Sequence, residues 1–126
     1  MGYFAKIEDN LVVYVISINN LTLGEPEKTF PETEGIGLDF IKNTLKLDGR
    51  WKQTSYNNSF RGNYAGIGYS YNNEKDIFIP PKLFNSFVWD DAIFSWVAPI
   101  EMPNDGKTYR WDEPTISWIE VKNDIN

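Results

Sequence analysis

The sequence predicts a mainly β fold of antiparallel hairpins or a meander, with one short α-helix near residues 36–47. Three observations carry this. An aromatic and β-branched run interrupted by one polar turn opens the chain at residues 3–18, "YFAKIEDNLVVYVISI". A helical period occurs once, over "GIGLDFIKNTLKL" at 35–47. A strand-turn-strand pattern with flanking aromatics then recurs three times between residues 69 and 121.

Each element has a physical signal. Tyr3–Ile7 and Leu11–Ile18 read as paired strands, with Glu8, Asp9 and Asn10 as the turn between them. Residues 19–34, with two Pro and four Glu, read as a loop with at most a short irregular strand. The triplet "NLT" within it is a glycosylation acceptor pattern without a secretory context. Ile36, Phe40, Ile41 and Leu45, with Leu38 and Leu47 at the seam, recur at helical spacing. The helix is expected to end near Asp48-Gly49, where glycine suits a left-handed cap. "RWKQTSY" at 50–56 alternates as a strand. "YAGIGYSY" at 64–71 reads as a strand bared on one face by Gly66 and Gly68, and Trp51 is expected to be buried across that face.

The repeats align on Tyr71, Trp89 and Trp111. Two residues earlier stands an aromatic in each: Tyr69, Phe87, Tyr109. Seven residues later stands another: Phe78, Trp96, Trp118. Acids or amides follow the first ring, as Asn72-Asn73, Asp90-Asp91 and Asp112-Glu113, and such side chains favour turns by bonding their own backbone. The spacing closes a hairpin with a short loop and sets the two rings against each other across it. The expected arrangement is one domain of 126 residues. Residues 1–60 would hold the first hairpin and the helix, and 61–126 three tandem aromatic hairpins. The rings Trp51, Tyr71, Phe78, Trp89, Trp96, Tyr109, Trp111 and Trp118 are the candidate functional residues. They are read first as structural, and alternatively as stacking platforms for a sugar or peptide. The acidic turn residues are expected to be solvated and replaceable.

Composition narrows the chemistry. The chain has no Cys and no His, so it holds no disulfide, no thiolate nucleophile, no Cys/His zinc site and no Ser-His-Asp arrangement. A net charge of −6 argues against a nucleic-acid backbone as partner. No apolar run reaches the length of a membrane span, and "MGYFAKIEDN" has neither the basic nor the apolar part of a secretory signal. No calcium loop pattern is present. Turn carboxylates are a poor basis for a glycosidase pair. The expectation is a protein without enzymatic activity and without a cofactor. "RGN" at 61–63 lacks the acid of an integrin-type motif and is set aside.

Several segments together are more distinctive than any one. They are "FAKIEDNLVVYVI", "WKQTSYNNSFRGNYAGIGYSYN" (51–72), "IFIPPKLFNSFVWD" (77–90), "APIEMPNDGKTYRWDE" (98–113) and "SWIEV". This combination resembles a family of small virion proteins of tailed marine phages, notably those infecting cyanobacteria. The resemblance runs over nearly the whole chain and is weakest over 19–47. It implies a structural or accessory part of a phage particle, as a capsid decoration or a tail or fibre component. Such a part would be made in the bacterial host's cytoplasm and would contact other virion proteins or further copies of itself. Two alternatives stand beside it: a glycan-binding module for the host surface, and a small acidic factor that binds a host protein.

Overall fold

A tight two-residue turn sets the frame of the first half. The computed structural model describes residues 1–122. Strands β1 (Gly2–Glu8) and β2 (Leu11–Ile18) pair antiparallel. Asp9 and Asn10 between them have φ of 52° and 62°, the left-handed pair that a two-residue hairpin turn requires. Asp and Asn tolerate that region better than other side chains. β3 (Arg50–Thr54) adds to the free side of β1, while β4 (Ser70–Asn72) and β5 (Ile77–Ile79) continue beyond β2. The order of this sheet is β3-β1-β2-β4-β5, antiparallel throughout. The mainly β expectation holds.

β1 is covered on both faces. Phe4 packs with Ile18, Leu23, Ile41 and Trp51 on one side. Ala5 and Ile7 pack with Val12, Ala65, Tyr71 and Phe78 on the other. The sheet curls so that the β4–β5 hairpin closes over this second face.

Two helices form where one was expected. α1 (Asn20–Leu23) is a single turn inside the segment read as a loop. Asn19 Oδ1 accepts from Thr22 N at 2.8 Å and Gly24 closes the turn, so capping rather than periodicity makes it. α2 spans Glu32–Asn43, starting earlier and ending earlier than the period suggested. Its first turn is polar, yet Thr33 is fully buried and donates to Gln53 Oε1 at 2.9 Å. The helix stops at Thr44, well before Asp48-Gly49, and Lys46 rather than a glycine is the first left-handed residue after it. Leu45 and Leu47 are consequently exposed.

Trp51 is buried, as expected, but not against the glycines. It stands opposite Lys6 in the β1–β3 register and so shares the face of Phe4 and α2. Its indole donates to the Asp48 carbonyl at 2.9 Å. Gly66 and Gly68 lie in a turn rather than a strand. Tyr69 N bonds Gly66 O at 3.0 Å, and Gly68 has φ of 93°. Of the expected 64–71 strand only Ser70 and Tyr71 lie in one, β4.

The chain divides into two compact units, Met1–Pro81 and a second from Lys82 onward. The division falls after the first aromatic repeat and not at 60/61, because Tyr71 and Phe78 belong to the core of the first unit. The second unit holds two separate two-stranded sheets. One pairs β6 (Val88–Asp90) with β7 (Ser95–Val97), the other β8 (Tyr109–Asp112) with β9 (Ser117–Glu120).

Two glycines of α2 separate close packing from intrinsic helix preference. A Cβ on Gly37 would stand 2.0 Å from Phe4 Cζ, whereas one on Gly35 would meet nothing within 4 Å. Gly37→Ala should destabilise the first unit by roughly 1–3 kcal/mol through overpacking. Gly35→Ala should stabilise it by about 0.4–1 kcal/mol. Urea unfolding of the two variants checks both signs.

Candidate functional site

The three aromatic repeats form three hairpins of one design. Tyr71 faces Phe78, Trp89 faces Trp96 and Trp111 faces Trp118 in direct cross-strand register. The ring centroids are 5.2, 5.3 and 5.2 Å apart; both tryptophan pairs are edge-to-face and the first pair is tilted. Four residues close each loop, and the fourth is left-handed: Asp76 at φ 54°, Phe94 at 52° and Ile116 at 49°. The seven-residue ring spacing follows from this loop length.

The environment of the three pairs differs. Tyr71 and Phe78 are 4% and 0% exposed. Trp89, Trp96, Tyr109, Trp111 and Trp118 are all half-buried, and no described residue from Lys82 to Lys122 is fully buried. The second unit has no interior of the ordinary kind. Its rings support one another in a chain instead: Phe84 lies 5.1 Å from Phe87, and Phe87 5.6 Å from Trp111. Lys82 Nζ stands 5.4 Å over the Trp96 ring.

The acidic loop residues are not merely solvated, contrary to expectation. The Trp89 indole donates to Asp91 Oδ1 at 2.7 Å, and the Trp111 indole to Glu113 Oε1 at 2.8 Å. An acid two residues beyond the first ring thus fixes that ring's polar edge in both tryptophan hairpins. Glu113 also accepts from Ser86 N at 3.0 Å and from the Ser86 hydroxyl at 2.6 Å, which ties the β8–β9 loop to the segment before β6. The Ser86 hydroxyl, and then the Trp111 indole, hold the Glu113 carboxyl below the usual carboxylate range. The Trp118 indole donates to Ile100 O at 2.7 Å. Tyr109 donates to Asp105 Oδ2 at 2.7 Å, and this bond to a carboxylate pushes the phenol up to about 12.

Arg61, set aside in the sequence, grips the first hairpin. Its side chain is 6% exposed and pairs with Glu34 of α2 and, at 2.8 Å, with Asp76 in the β4–β5 loop. It also donates to Gln53 O of β3 at 2.9 Å. Tyr71 donates to the same Asp76 carboxylate. Although burial opposes ionisation of Asp76, the Tyr71 hydroxyl and Arg61 hold its carboxyl below the ordinary value. Burial first, and then Asp76, push Tyr71 up to about 12. The rest of "RGN" lies along β5: Gly62 bridges Phe78 in parallel, and Asn63 Nδ2 donates to Phe78 O at 3.0 Å. Only the spacing of Arg61 from the acids in sequence could have pointed to it, and that spacing is not distinctive.

No cluster of Asp and Glu among the described residues is arranged to hold a metal ion. No helix among them is long and apolar enough to cross a membrane. No protein-family model, curated protein or solved structure matches the chain.

Two outcomes follow for the tryptophan hairpins. Trp111→Ala and Trp118→Ala should each lower stability, and the double variant should lose less than their sum by about 0.5–1.5 kcal/mol, the coupling of an edge-to-face pair. For Glu113 the folded value lies below the ordinary 4.5. Its stabilising contribution is therefore complete above that pH and is lost as pH falls through the folded value. Acid titration of tryptophan fluorescence should show this transition, and Glu113→Gln should remove it.

Proposed function

We propose that this chain is a non-enzymatic structural or accessory protein of a phage particle, acting through protein–protein contacts made by its tryptophan hairpins. The observation that carries the reading is at the hairpin tips. Phe94 and Ile116 occupy equivalent loop positions, both are left-handed, and both are exposed (38% and 40%). A bulky side chain in that region costs roughly 1–2 kcal/mol relative to an ordinary backbone conformation. The corresponding residue of the first hairpin is Asp76, which is engaged by Arg61. Ile116 keeps an apolar side chain 40% exposed at such a cost, and strain of this kind collects where a surface is used.

Further features support the same reading. Leu83, Val88, Ile93, Ile100 and Met102 are also exposed in this unit. Both two-stranded sheets have open edges. Residues 82–126 carry eight Asp and Glu against four Lys and Arg, so the partner surface is basic with apolar pockets. The resemblance of the quoted segments to phage virion proteins gives the particle as the setting. In each tryptophan pair the edge of one ring covers a face of the other, which leaves the sugar-platform alternative less ring surface in these hairpins.

Mass spectrometry of purified particles of the encoding phage should find the chain in fixed proportion to the capsid or tail proteins. Its absence would overturn the reading. Ile116→Asn should raise the stability of the free protein by roughly 0.5–1 kcal/mol, since Asn accepts the left-handed region, and Phe94→Asn is the matching change in the other tryptophan hairpin. The same variants should lower its incorporation into particles.

A further inference from the structure

The first unit carries a cleft that the hairpin reading does not use. It encloses about 510 Å³ between the start of β1, the end of β3 and the loop that follows β3. One wall is Tyr56, 71% exposed, stacked on Tyr3 at 5.7 Å with 28° between the rings. Tyr64 sits edge-on to both at 5.4 Å and holds them in place. The other wall is Phe60, stacked on Phe30 at 3.8 Å and 5°, with the Arg61 guanidinium 4.9 Å from the Phe30 ring. Both walls are therefore fixed rings backed by other rings.

The floor is polar and neutral, made by Gln53, Ser55, Asn57 and Ser59. Gln53 is bound at one amide end by Thr33, at 2.9 Å. Ser55 donates to Asn57 Oδ1 at 2.7 Å, and its hydroxyl accepts from Ser59 N at 2.9 Å. Tyr64 N bonds Asn58 Oδ1 at 2.7 Å and pins the same loop. No Lys or Arg side chain lines the cleft, and Glu25 is the one charged side chain that does.

We infer that this cleft binds a neutral oligosaccharide. A sugar ring presents an apolar C–H face and an edge of hydroxyls that both donate and accept. Fixed aromatic walls over a floor of amides and hydroxyls match both; no Lys or Arg lines the cleft, the Met1 amino group at its edge is already bonded to Asn20 Oδ1, and Glu25 further disfavours an anionic ligand. An exposed tyrosine face held rigid by two neighbours is unnecessary for the core, since neither core cluster includes Tyr3, Tyr56 or Tyr64. Preorganisation of the 55–60 loop keeps the ordering cost of binding small.

The test is an NMR titration of the full chain, labelled with ¹⁵N, using cellohexaose, laminarihexaose and chitohexaose in turn, up to about 10 mM, which reaches weak millimolar binding. At least one sugar should give saturable shifts in the backbone amides of Tyr56, Asn57, Ser59 and Phe60 and in the Gln53 side-chain amide. Tyr56→Ala should weaken that binding by roughly tenfold or more, as loss of a stacking face does. Unshifted amides of residues 7–15, away from the Tyr3–Tyr56 stack, show that this variant folds. No saturable shift with any of the three sugars would overturn the inference, as would shifts that Tyr56→Ala leaves unchanged. A proline-rich decapeptide is titrated in parallel. Saturable shifts at these residues with the peptide alone would assign the cleft to peptide and likewise overturn the inference. Particle incorporation is measured separately, so either result can fail without the other.

Discussion

A ring at one position faces a ring seven residues on, three times over, and most of the structure is arranged around what those pairs can and cannot do alone. A two-stranded hairpin is marginal in water. An edge-to-face pair adds only about 0.5–1.5 kcal/mol beyond the area it buries. Each hairpin therefore needs something further. For Tyr71 and Phe78 it is a sheet to close against and an arginine to hold the loop. For the tryptophan pairs it is an acid on each first indole, and in the last hairpin Glu113 reaching back to Ser86.

The same motif thus has two fates within one chain. In the first unit the pair is core. Arg61 joins α2, β3 and the β4–β5 loop through Glu34, Gln53 O and Asp76. Arg61 is the buried member, so removing Glu34, its more buried partner, would leave that charge poorly compensated. In the second unit the pairs stay half-buried and apolar side chains remain outward at the tips. A unit with no fully buried side chain among its described residues gains most from a partner that covers it. That is the physical link between its packing and the proposed role in a particle.

The hairpins were legible because ring spacing and loop acids are local signals. Tyr71–Phe78, Trp89–Trp96 and Trp111–Trp118 pair as the sequence spacing requires. What escaped sequence reading depends on contacts distant in the chain. Thr33 and Glu34 begin α2 with polar side chains whose partners, Gln53 and Arg61, lie 19 to 27 residues away. Trp51 was buried as read, but its face follows from pairing with Lys6, which no local pattern reveals. The loop acids looked solvated because Asp and Glu in turns ordinarily are, and only the geometry shows indoles bound to Asp91 and Glu113. Arg61 in "RGN" had no sequence signal of comparable strength.

One hairpin is core, while the other two are supported only at their surfaces. Native-state hydrogen exchange tests it most directly, because it reads local opening residue by residue. The Phe78 amide, bonded to Arg61 O at 3.0 Å, should exchange only with global unfolding of the first unit. The Val121 amide, bonded to Thr108 O at 2.8 Å beside the last hairpin, should exchange through local opening at a much higher rate. Equal protection of the two amides in the free protein would contradict the account.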